Sequence, residues 1–393
     1  MLSDRINNLS ISQTLAMAAK ARELKALGKD IISLSLGEPD FNTPDFIKEA
    51  AKQAIDENWS TYSPVEGYVE LKQAIVKKFK RDNGLDYTPA NIVVSTGAKQ
   101  SLYNIAQAMI NEGDEVILPA PYWVSYSEIV KMAGGIPVEV PTSVASDFKI
   151  TPEQLEAAIT PKTKMMWFSS PCNPSGSVYN REELTALSNV LLKHDNIYVV
   201  SDEIYEHINF AGTFCSIASI PGMFDKTITV NGVAKAFAMT GWRIGYIGAP
   251  EAIAKACTKL QGQVTSGANS IAQRATITAL EADPSKISYM VEAFHKRRDL
   301  VMDLINDIPG LQVNKPEGAF YAFPDVSAYF GKTLNGIEIK DADDLAMYLL
   351  EFANVATVTG AAFGNPDCIR LSYATSEELL IEAFKRIKNA LTA

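Results

Sequence analysis

Short apolar segments alternate with amphipathic helical segments through residues 91–249, and this alternation constrains the fold more than any other feature. Segment 91–95 is β-branched and short, the following segment has helical periodicity, and the next apolar run, 115–118, again has the pattern of a strand. Chains with this alternation form a mostly parallel sheet with helices on both faces. The sequence predicts further strands at 136–140, 165–170, 196–201, 227–232 and 244–249.

Four polar or glycine-rich segments adjoin the ends of these strands. In open α/β sheets, ligands bind in the crevice outside the carboxyl ends of the strands. We therefore expect one crevice to be shared by segments 95–101, 169–176, 201–205 and 231–245.

The C-terminal part of the chain has a different pattern. After Asp283-Pro284, a long helical stretch leads to short strands at 318–323 and 368–374 and then to a closing helix. We interpret this part as a second, smaller α+β domain. The predicted organisation is an N-terminal segment that joins the small domain, a large domain and a small C-terminal domain, with bounds 1–45, 46–285 and 286–393.

Composition excludes several classes of protein. The 393 residues are 47% hydrophobic, enough for a large core without disulfides, and the net charge of −10 argues against nucleic-acid binding. The four cysteines are far apart and form no CxxC pair, a pattern typical of reduced thiols. The apolar run from Leu15 to Ala19 is too short for a signal peptide, and no run suits a membrane span. We expect a cytoplasmic protein with small-molecule partners and no nucleic-acid or membrane partner.

Several catalytic motifs are missing from the sequence. The three histidines, at 194, 207 and 295, have no second His or Cys at metal-ligand spacing, so no metal site is predicted. The sequence also lacks GxxxxGK[ST], GxGxxG and GxSxG. These gaps argue against metalloenzymes, NTPases, simple NAD enzymes and serine hydrolases of the α/β type.

Lys235 lies among small and apolar residues in the run VAKAFAM. Loss of hydration in such surroundings lowers the pKa of an amine and frees it as a nucleophile, and the nearby cation Arg243 acts in the same direction. An ordinary lysine that extends its ammonium to the surface fits the same pattern. Taken alone, the ordinary lysine is the favoured interpretation.

Two other charged residues adjoin apolar runs. Asp202 ends a buried strand pattern and is either a turn residue or a carboxylate able to hold a protonated ring nitrogen, with Tyr205 in reach of the same pocket. Arg370 interrupts an apolar strand pattern, so it needs either an internal Asp or Glu or a substrate carboxylate. The forked guanidinium suits bidentate carboxylate binding. The residues alone leave these alternatives open.

Five longer motifs together resemble the class I pyridoxal-phosphate aminotransferases, with the bacterial aspartate aminotransferase branch nearest. They are GEPDFNTP, PYWVSY, SDEIYEH, KAFAMTGWRIGY and RLSYATSEE, and the resemblance covers essentially the whole chain. It implies the α/β fold type I of these transferases, pyridoxal 5'-phosphate as cofactor, and a homodimer with shared active sites. It also implies reversible amino transfer from L-aspartate to 2-oxoglutarate, giving oxaloacetate and L-glutamate, with ping-pong kinetics.

The resemblance also implies roles for individual residues. Lys235 matches the lysine that bonds covalently to the cofactor, Asp202 the partner of the pyridine nitrogen, and Asn173 and Tyr205 the donors to the phenolic oxygen. The other matches are the aromatic residue stacked on the ring, Trp123; the phosphate cradle, Gly97, Ala98, Lys99 and Arg243; a residue reaching the phosphate from the neighbouring subunit, Tyr62; and the substrate-binding positions, Gly37, Lys99, Trp123, Asn173 and Arg370.

The resemblance also assigns a residue to each end of the substrate. In this branch a lysine in the GGKQ-like segment is associated with the distal carboxylate, and Lys99 matches it. Such an ammonium contributes roughly 1.5–3 kcal/mol if it is well desolvated, although Lys99 also fits a phosphate contact or a solvated helix start. Arg370 would bind the α-carboxylate, and Ser12 and Thr14 lie on a segment that closes over the site in relatives.

Three positions depart from the family pattern. Cys172 stands where relatives often have Asn, Gly232 where other branches have Ser or Thr, and Ser10 where some relatives have a lysine linked to prephenate use. The alternatives to aspartate transamination are a transaminase of aromatic, broad or prephenate specificity, a β-lyase with the same cofactor, and a non-catalytic regulator. Regulators of this type usually carry an added DNA-binding module, for which this chain has no spare residues.

Overall fold

A computed structural model describes residues 2–392 and has an α/β fold. Most of its strands lie in two regions, one between residues 92 and 248 and one after residue 320. The strands are β1 (Ile32–Ser33), β2 (Ile92–Ser95), β3 (Glu115–Ala120), β4 (Ile136–Pro141), β5 (Thr163–Ser169), β6 (Tyr198–Asp202), β7 (Thr227–Gly232), β8 (Gly245–Gly248), β9 (Tyr321–Ala322), β10 (Lys332–Leu334), β11 (Ile337–Ile339), β12 (Val355–Ala356), β13 (Val358–Thr359) and β14 (Ile369–Ser372).

Helices separate and flank these strands. Between the end of α12 and β12, one turn of π-helix at Leu349–Ala353 continues that helix. The helices are α1 (Asp4–Asn7), α2 (Gln13–Ala26), α3 (Asp45–Asp56), α4 (Val69–Asn83), α5 (Ala98–Met109), α6 (Ser125–Met132), α7 (Pro152–Ala158), α8 (Arg181–Leu191), α9 (Glu251–Val264), α10 (Ser270–Glu281), α11 (Ser288–Asn306), α12 (Ala342–Tyr348) and α13 (Glu377–Leu391).

The central sheet has seven strands in the order β2-β8-β7-β6-β5-β3-β4. Neighbours from β7 to β4 are parallel, whereas β8 runs antiparallel to both β7 and β2. The prediction of a mostly parallel sheet is therefore confirmed. The seven predicted strands of this sheet agree with the structure to within two residues at each end.

Alternating side chains of the central strands cover both faces of the sheet, as the two-residue period of a strand requires. In β5, Met165 and Trp167 pack in one core cluster with apolar residues of α5, α6 and α9. Met166 and Phe168 point to the opposite face, where they pack in a second cluster with residues of α8. Because both faces are covered, these strands are apolar at successive positions.

A smaller antiparallel sheet has the order β13-β14-β9 and carries Arg370 in β14. Near it, the N-terminal strand β1 pairs in parallel with β12, so that Ile32 lies opposite Val355. This pairing agrees with an N-terminal segment that joins the small domain, but the domain bounds at residues 45 and 285 stay a prediction.

One predicted strand of the small domain is much shorter in the structure. The run 318–323 forms a strand only at β9, because Ala319 has a φ of +57° and its N–H bonds to Ile208 O. Gly318 instead forms an isolated bridge with Asn209. The backbone of this run thus connects the small sheet to the loop after β6.

Within residues 2–392, no helix combines the length and the apolar character needed to span a membrane.

Candidate active site

A cavity of about 300 Å³ lies where β5, β6 and β7 end. Residues from each of the four segments that were expected to share a crevice line this cavity. The structure brings together here most of the predicted site residues, namely Gly37, Ala98, Lys99, Trp123, Asn173, Asp202, Tyr205, Lys235, Arg243 and Arg370.

Lys235 lies in the turn that follows β7, and its side chain enters the cavity. Its ammonium donates a 2.6 Å hydrogen bond to the backbone oxygen of Gly37 and lies 5.8 Å from the centre of the Tyr205 ring. Burial lowers the pKa of Lys235 to about 8, and the cations Arg370 and Arg243 add to this effect while the Glu38 carboxylate opposes it. A substantial fraction of neutral amine is therefore present at mildly alkaline pH.

Asp202 is the last residue of β6 and is buried. Its carboxylate accepts a 2.7 Å hydrogen bond from the hydroxyl of Tyr126 and a 3.3 Å bond from the backbone N–H of Ile204. Burial raises the pKa of Asp202 to about 6, and these hydrogen bonds limit the rise. The carboxylate is thus mostly ionised at neutral pH and is suited to pair with a cationic ring nitrogen.

Arg370 is only 1% exposed, and no Asp or Glu forms an ion pair with it within residues 2–392. Its guanidinium donates to Asn173 Oδ1 at 3.1 Å and to the backbone oxygen of Ser35 at 2.6 Å. The remaining nitrogen, Nε, is buried without a partner. A buried guanidinium bonded only to neutral oxygens favours an added anion.

Tyr205 is buried against β9 and the residue before it. Its hydroxyl lies 2.7 Å from the hydroxyl of Tyr321 in β9, and its ring packs edge-on against Phe320 and Tyr321. Burial raises the pKa of Tyr205 well above its usual value, so the phenol keeps its proton and stays a hydrogen-bond donor.

The start of α5 forms another part of the cavity wall. Gly97 caps this helix with a φ of +82°, and a Cβ at this position would collide with the guanidinium of Arg243. A Cβ on Gly245 would likewise collide with the backbone N of Ala98. The backbone N–H groups at the start of α5 and the Arg243 cation together form a setting that suits a phosphate.

Lys99 and Trp123 form the outer wall of the cavity. The Lys99 ammonium lies 4.8 Å from the centre of the Trp123 ring, at a distance typical of a cation–π contact. Partial burial and the nearby Arg243 lower the pKa of Lys99, so an anion at this wall would relieve an unfavourable concentration of positive charge.

Two predicted residues do not line the cavity. Gly97 lies next to it and shapes the start of α5, whereas Tyr62 is 98% exposed. Its predicted action from a neighbouring subunit stays a prediction.

Gly232 packs tightly against β8. A Cβ there would lie 2.9 Å from Ile244 O and 3.1 Å from Gly245 Cα, which gives a steric reason for glycine where other branches have Ser or Thr. Cys172 is also buried, with its sulfur 3.7 Å from the backbone oxygen of Pro121.

The sequence reasoning missed several residues of the cavity wall. Tyr126 and Tyr321 each bond to a predicted site residue, and Thr240 accepts from Arg243 through its backbone oxygen. Tyr126 lies in α6, three residues after Trp123, and the PYWVSY motif that pointed to Trp123 also contains Tyr126. No comparable signal in the sequence pointed to Tyr321, because it lies far along the chain in a two-residue strand.

The residues of the cavity fit pyridoxal 5'-phosphate. A partly neutral amine suits its aldehyde, a buried carboxylate suits its basic ring nitrogen, and amide and phenol groups suit its phenolic oxygen. At the start of α5, the glycines leave space where the phosphate would be held by N–H groups and Arg243. Trp123 also lines the cavity.

Comparison with known proteins identifies the family. The family profile described as aminotransferase class I and II matches residues 29–387. The aspartate/prephenate aminotransferase of Cereibacter sphaeroides is 51% identical over 390 residues, covering 98% of each chain. The aspartate aminotransferase of Geobacillus stearothermophilus is 48% identical over 394 residues, covering 100% of this chain and 99% of the relative.

Solved structures agree with this result. The aspartate aminotransferase of Rhizobium meliloti matches with a TM-score of 0.97 and 45% identity, covering 100% of this chain and 99% of the other. That of Thermus thermophilus with maleate matches with a TM-score of 0.94 and 44% identity over the whole of both chains. The predicted fold type I is confirmed, and the chain belongs to the class I and II aminotransferases, which are pyridoxal-phosphate-dependent enzymes.

Proposed function

We propose that this protein is an aspartate aminotransferase that transfers an amino group reversibly from L-aspartate to 2-oxoglutarate, giving oxaloacetate and L-glutamate. The observation that carries the proposal is the buried, carboxylate-free Arg370 in one cavity with the Lys235 amine and with Lys99. Named relatives support it, since aspartate aminotransferases of several organisms are 44–48% identical to this chain.

The cofactor proposed for this cavity is pyridoxal 5'-phosphate, held covalently by Lys235. Asp202 would pair with the ring nitrogen, and Asn173 and Tyr205 would donate to the phenolic oxygen. When bound, the cofactor supplies an electron sink for the electrons left at the substrate's α-carbon. Trp123 would stack on the ring, and the phosphate would lie among Gly97, Ala98, Lys99 and Arg243, with Tyr62 of a neighbouring subunit.

Lys235 has the properties of a proton carrier. Its pKa near 8 lies close to neutral pH, which favours both uptake and release of a proton. Its Nζ would take the proton from the substrate's α-carbon and deliver it to the carbon that carries the cofactor's aldehyde group. The backbone oxygen of Gly37, 2.6 Å from Nζ, gives the protonated amine a fixed acceptor.

The proposed substrate is a dicarboxylic amino acid held at both ends. Arg370 would bind the α-carboxylate, and Lys99 would bind the distal carboxylate. Support for a dicarboxylate comes from the Thermus thermophilus enzyme, whose structure was solved with maleate. The cavity is also lined by Ser12 and Thr14, on the N-terminal segment that we propose closes over the substrate.

A second candidate function is amino transfer to prephenate. It is favoured by the 51% identical Cereibacter sphaeroides relative, an aspartate/prephenate aminotransferase. Against it, Ser10 replaces a lysine linked to prephenate use in some relatives, and its backbone N–H donates to Glu128 at 2.8 Å. Prephenate therefore belongs in the same assay as the other acceptors.

The test is a panel of amino donors with 2-oxoglutarate, followed by three variants. We expect aspartate to give the highest kcat/KM, Lys235→Ala to lose turnover and the visible cofactor band, and Arg370→Ala to weaken every donor. Lys99→Ala should lower kcat/KM for aspartate about tenfold or more, with little change for alanine, because only aspartate has a distal carboxylate.

Other results would contradict the proposal. Faster turnover of phenylalanine or methionine than of aspartate would favour an aromatic or broad-specificity enzyme. Equal losses for alanine and aspartate in Lys99→Ala would remove the role of its side chain. A covalent cofactor adduct on another lysine would exclude Lys235 as the carrier.

A further inference from the structure

Tyr321 contacts three parts of the cavity that carry different proposed roles. It lies in β9, is 1% exposed, and pairs with Ser372 of β14, the strand that also holds Arg370. Its hydroxyl is next to Tyr205, its ring faces Arg370, and its hydroxyl fills the space left by the absent side chain of Gly37. No other aromatic residue described here joins all three.

The cofactor would decide which hydroxyl donates in the hydrogen bond between Tyr205 and Tyr321. The two phenol oxygens lie 2.7 Å apart, and either one can be the donor in this pair. A phenol has a single proton, so Tyr205 can donate into the cavity only if its own oxygen accepts from Tyr321. Donation from Tyr321 would therefore hold the Tyr205 proton in the direction of the cofactor's phenolic oxygen and strengthen that bond.

The ring contact acts on a different residue. The guanidinium carbon of Arg370 lies 4.7 Å from the centre of the Tyr321 ring and 5.0 Å from that of Phe363, so aromatic rings border it. Together with the bonds to Asn173 and Ser35, these rings fix the plane of the guanidinium before any substrate arrives. A planar bidentate contact with a carboxylate depends on that plane.

Gly37 explains how Tyr321 fits against the peptide that binds the amine of Lys235. A Cβ at Gly37 would collide with the Tyr321 hydroxyl. Glycine therefore lets Tyr321 approach the same peptide whose oxygen accepts the hydrogen bond from Lys235.

We propose that Tyr321 is a positioning residue with two separable actions: its hydroxyl orients the proton of Tyr205, and its ring orients Arg370 for the substrate carboxylate. This inference rests on the proposed function, since both actions serve the cofactor and substrate assigned there. It adds a residue of the small domain to the cofactor end of the site.

The test compares Tyr321→Phe with Tyr321→Leu in the holoenzyme. Tyr321→Phe keeps the ring and removes the hydroxyl. The pH midpoint of the visible absorbance change of the resting holoenzyme should therefore rise by about half a unit, because the hydrogen bond from Tyr205 to the phenolic oxygen is weakened. KM for aspartate should stay within about twofold of wild type.

Tyr321→Leu removes the ring as well. KM for both aspartate and alanine should rise about fivefold or more, because every amino acid presents an α-carboxylate to Arg370. If the leucine variant does not fold, Tyr321→Met offers an unbranched, flexible side chain that fills the same space. Tyr373→Phe is the matched control, since Tyr373 is equally buried directly after β14 and its hydroxyl donates to Ala319 O at 3.3 Å.

A double-mutant cycle separates action through Tyr205 from a general structural effect. In the Tyr205→Phe background, Tyr321→Phe should produce no further shift of the absorbance midpoint. An unchanged midpoint in Tyr321→Phe would overturn the action of the hydroxyl, and an unchanged KM in the leucine or methionine variant would overturn that of the ring. Failure of the proposed function would differ, because the wild-type protein itself would then lack the visible band or aspartate turnover.

Discussion

Asp202 and Lys235 face the same cavity, and burial moves their pKa values towards each other. The pKa of Asp202 rises to about 6, and that of Lys235 falls to about 8. Both shifts favour the neutral form, as loss of hydration requires. Between these two values the carboxylate is mostly ionised, while the amine can still give up its proton at mildly alkaline pH.

The amine of Lys235 should react with an aldehyde in a pH-dependent way. We expect brief treatment of the apoprotein with pyridoxal 5'-phosphate and borohydride to label Lys235, with a rate that rises with pH to a midpoint near 8. Peptide mass spectrometry measures the label. Lys52 is a reference, because its bond to Glu49 raises the pKa of Lys52. A midpoint no lower than that of Lys52 would contradict the prediction.

The raised pKa of Asp202 should reduce the stability of the apoprotein at neutral pH. The folded protein holds a proton on Asp202 that the unfolded chain releases as pH rises from about 4 to about 6, so this group lowers stability over that window. Asp202→Asn keeps an acceptor for Tyr126 and should stabilise the apoprotein by about 1–3 kcal/mol at pH 7 but not at pH 4. Urea unfolding at both pH values measures this; equal changes would refute it.

The shift at Lys235 has the opposite sign in a different window. The folded protein releases the Lys235 proton from about pH 8, whereas the unfolded chain keeps it to about pH 10.5. This group therefore raises stability as pH rises between those values and does not affect the comparison between pH 4 and 7.

The close contact of Gly245 with the start of α5 predicts a steric effect on cofactor binding. Gly245→Ala should force Ala98 away, because the new Cβ would meet backbone rather than a flexible side chain. We expect a loss of cofactor affinity of at least about tenfold and a lower free energy of unfolding. Fluorescence titration of the apoprotein measures the affinity. Gly241→Ala is the control, since nothing lies within 4 Å of a Cβ there, and a similar loss in both variants would argue against this explanation.

At the scale of elements, a buried polar network joins α4 to β7 and to the loop after β6. Glu206 accepts from Lys78, from Asn83 at 2.7 Å and from Asn231 at 2.7 Å, and His207 lies 3.5 Å away. Tyr205 faces the cavity, and the next side chain along the chain, that of Glu206, is fixed in this network.

Breaking this network on one side should be strongly destabilising. Lys78→Met leaves the Glu206 carboxylate buried without its cation, and we expect a loss of about 3–5 kcal/mol in the free energy of unfolding. Lys78→Met combined with Glu206→Gln should recover part of that loss, because no uncompensated charge remains. Urea unfolding of the variants checks this, and an additive loss in the double variant would contradict it.

The sequence predicted the strands of the central sheet better than those of the C-terminal part of the chain. Strands of the central sheet are buried on both faces, so their apolar runs mark their bounds, as at 227–232. The sequence did not indicate that β8 is antiparallel, because strand direction depends on how the chain returns to the sheet. In the small domain, the positive φ of Ala319 ended a predicted strand, and nothing in an alanine indicates that conformation.

The residues of the candidate site were also predicted unevenly. Residues close to strand ends, such as Asp202 and Lys235, were found from the pattern and the motifs together. Tyr321 was not, because its proximity to Tyr205 depends on packing between a strand of the small sheet and a distant loop. Contacts of this kind follow from tertiary structure and leave no local signal.

At the scale of the whole molecule, one chain does not bring every predicted residue to the cavity. Tyr62 is 98% exposed, and apolar side chains at Ile55, Val69 and Val264 are also exposed. We propose a homodimer in which Tyr62 completes the site of the neighbouring subunit. Ile55 and Val69 are close to Tyr62 along the chain, and exposed apolar residues of this kind support a covered surface.

Subunit mixing tests this arrangement. Lys235→Ala should be inactive alone and Tyr62→Ala weakly active. A dissociated and reassembled mixture of the two should regain about a quarter of the wild-type activity, because each hybrid dimer has one intact site. Lys235→Ala mixed with Asp202→Ala is the control, since the hybrids of that pair have no intact site. No recovery in the first mixture would place Tyr62 in its own subunit's site or outside any site.

The pairing of β1 with β12 joins two segments that are synthesised at very different times. Ile32 leaves the ribosome early, but its partner Val355 and the strand bearing Arg370 are among the last segments to emerge. The nascent chain can therefore assemble the cofactor end of the cavity while the wall that holds the substrate is still untranslated. A product terminated before β14 would have the amine of Lys235 but no guanidinium to hold an amino acid beside it.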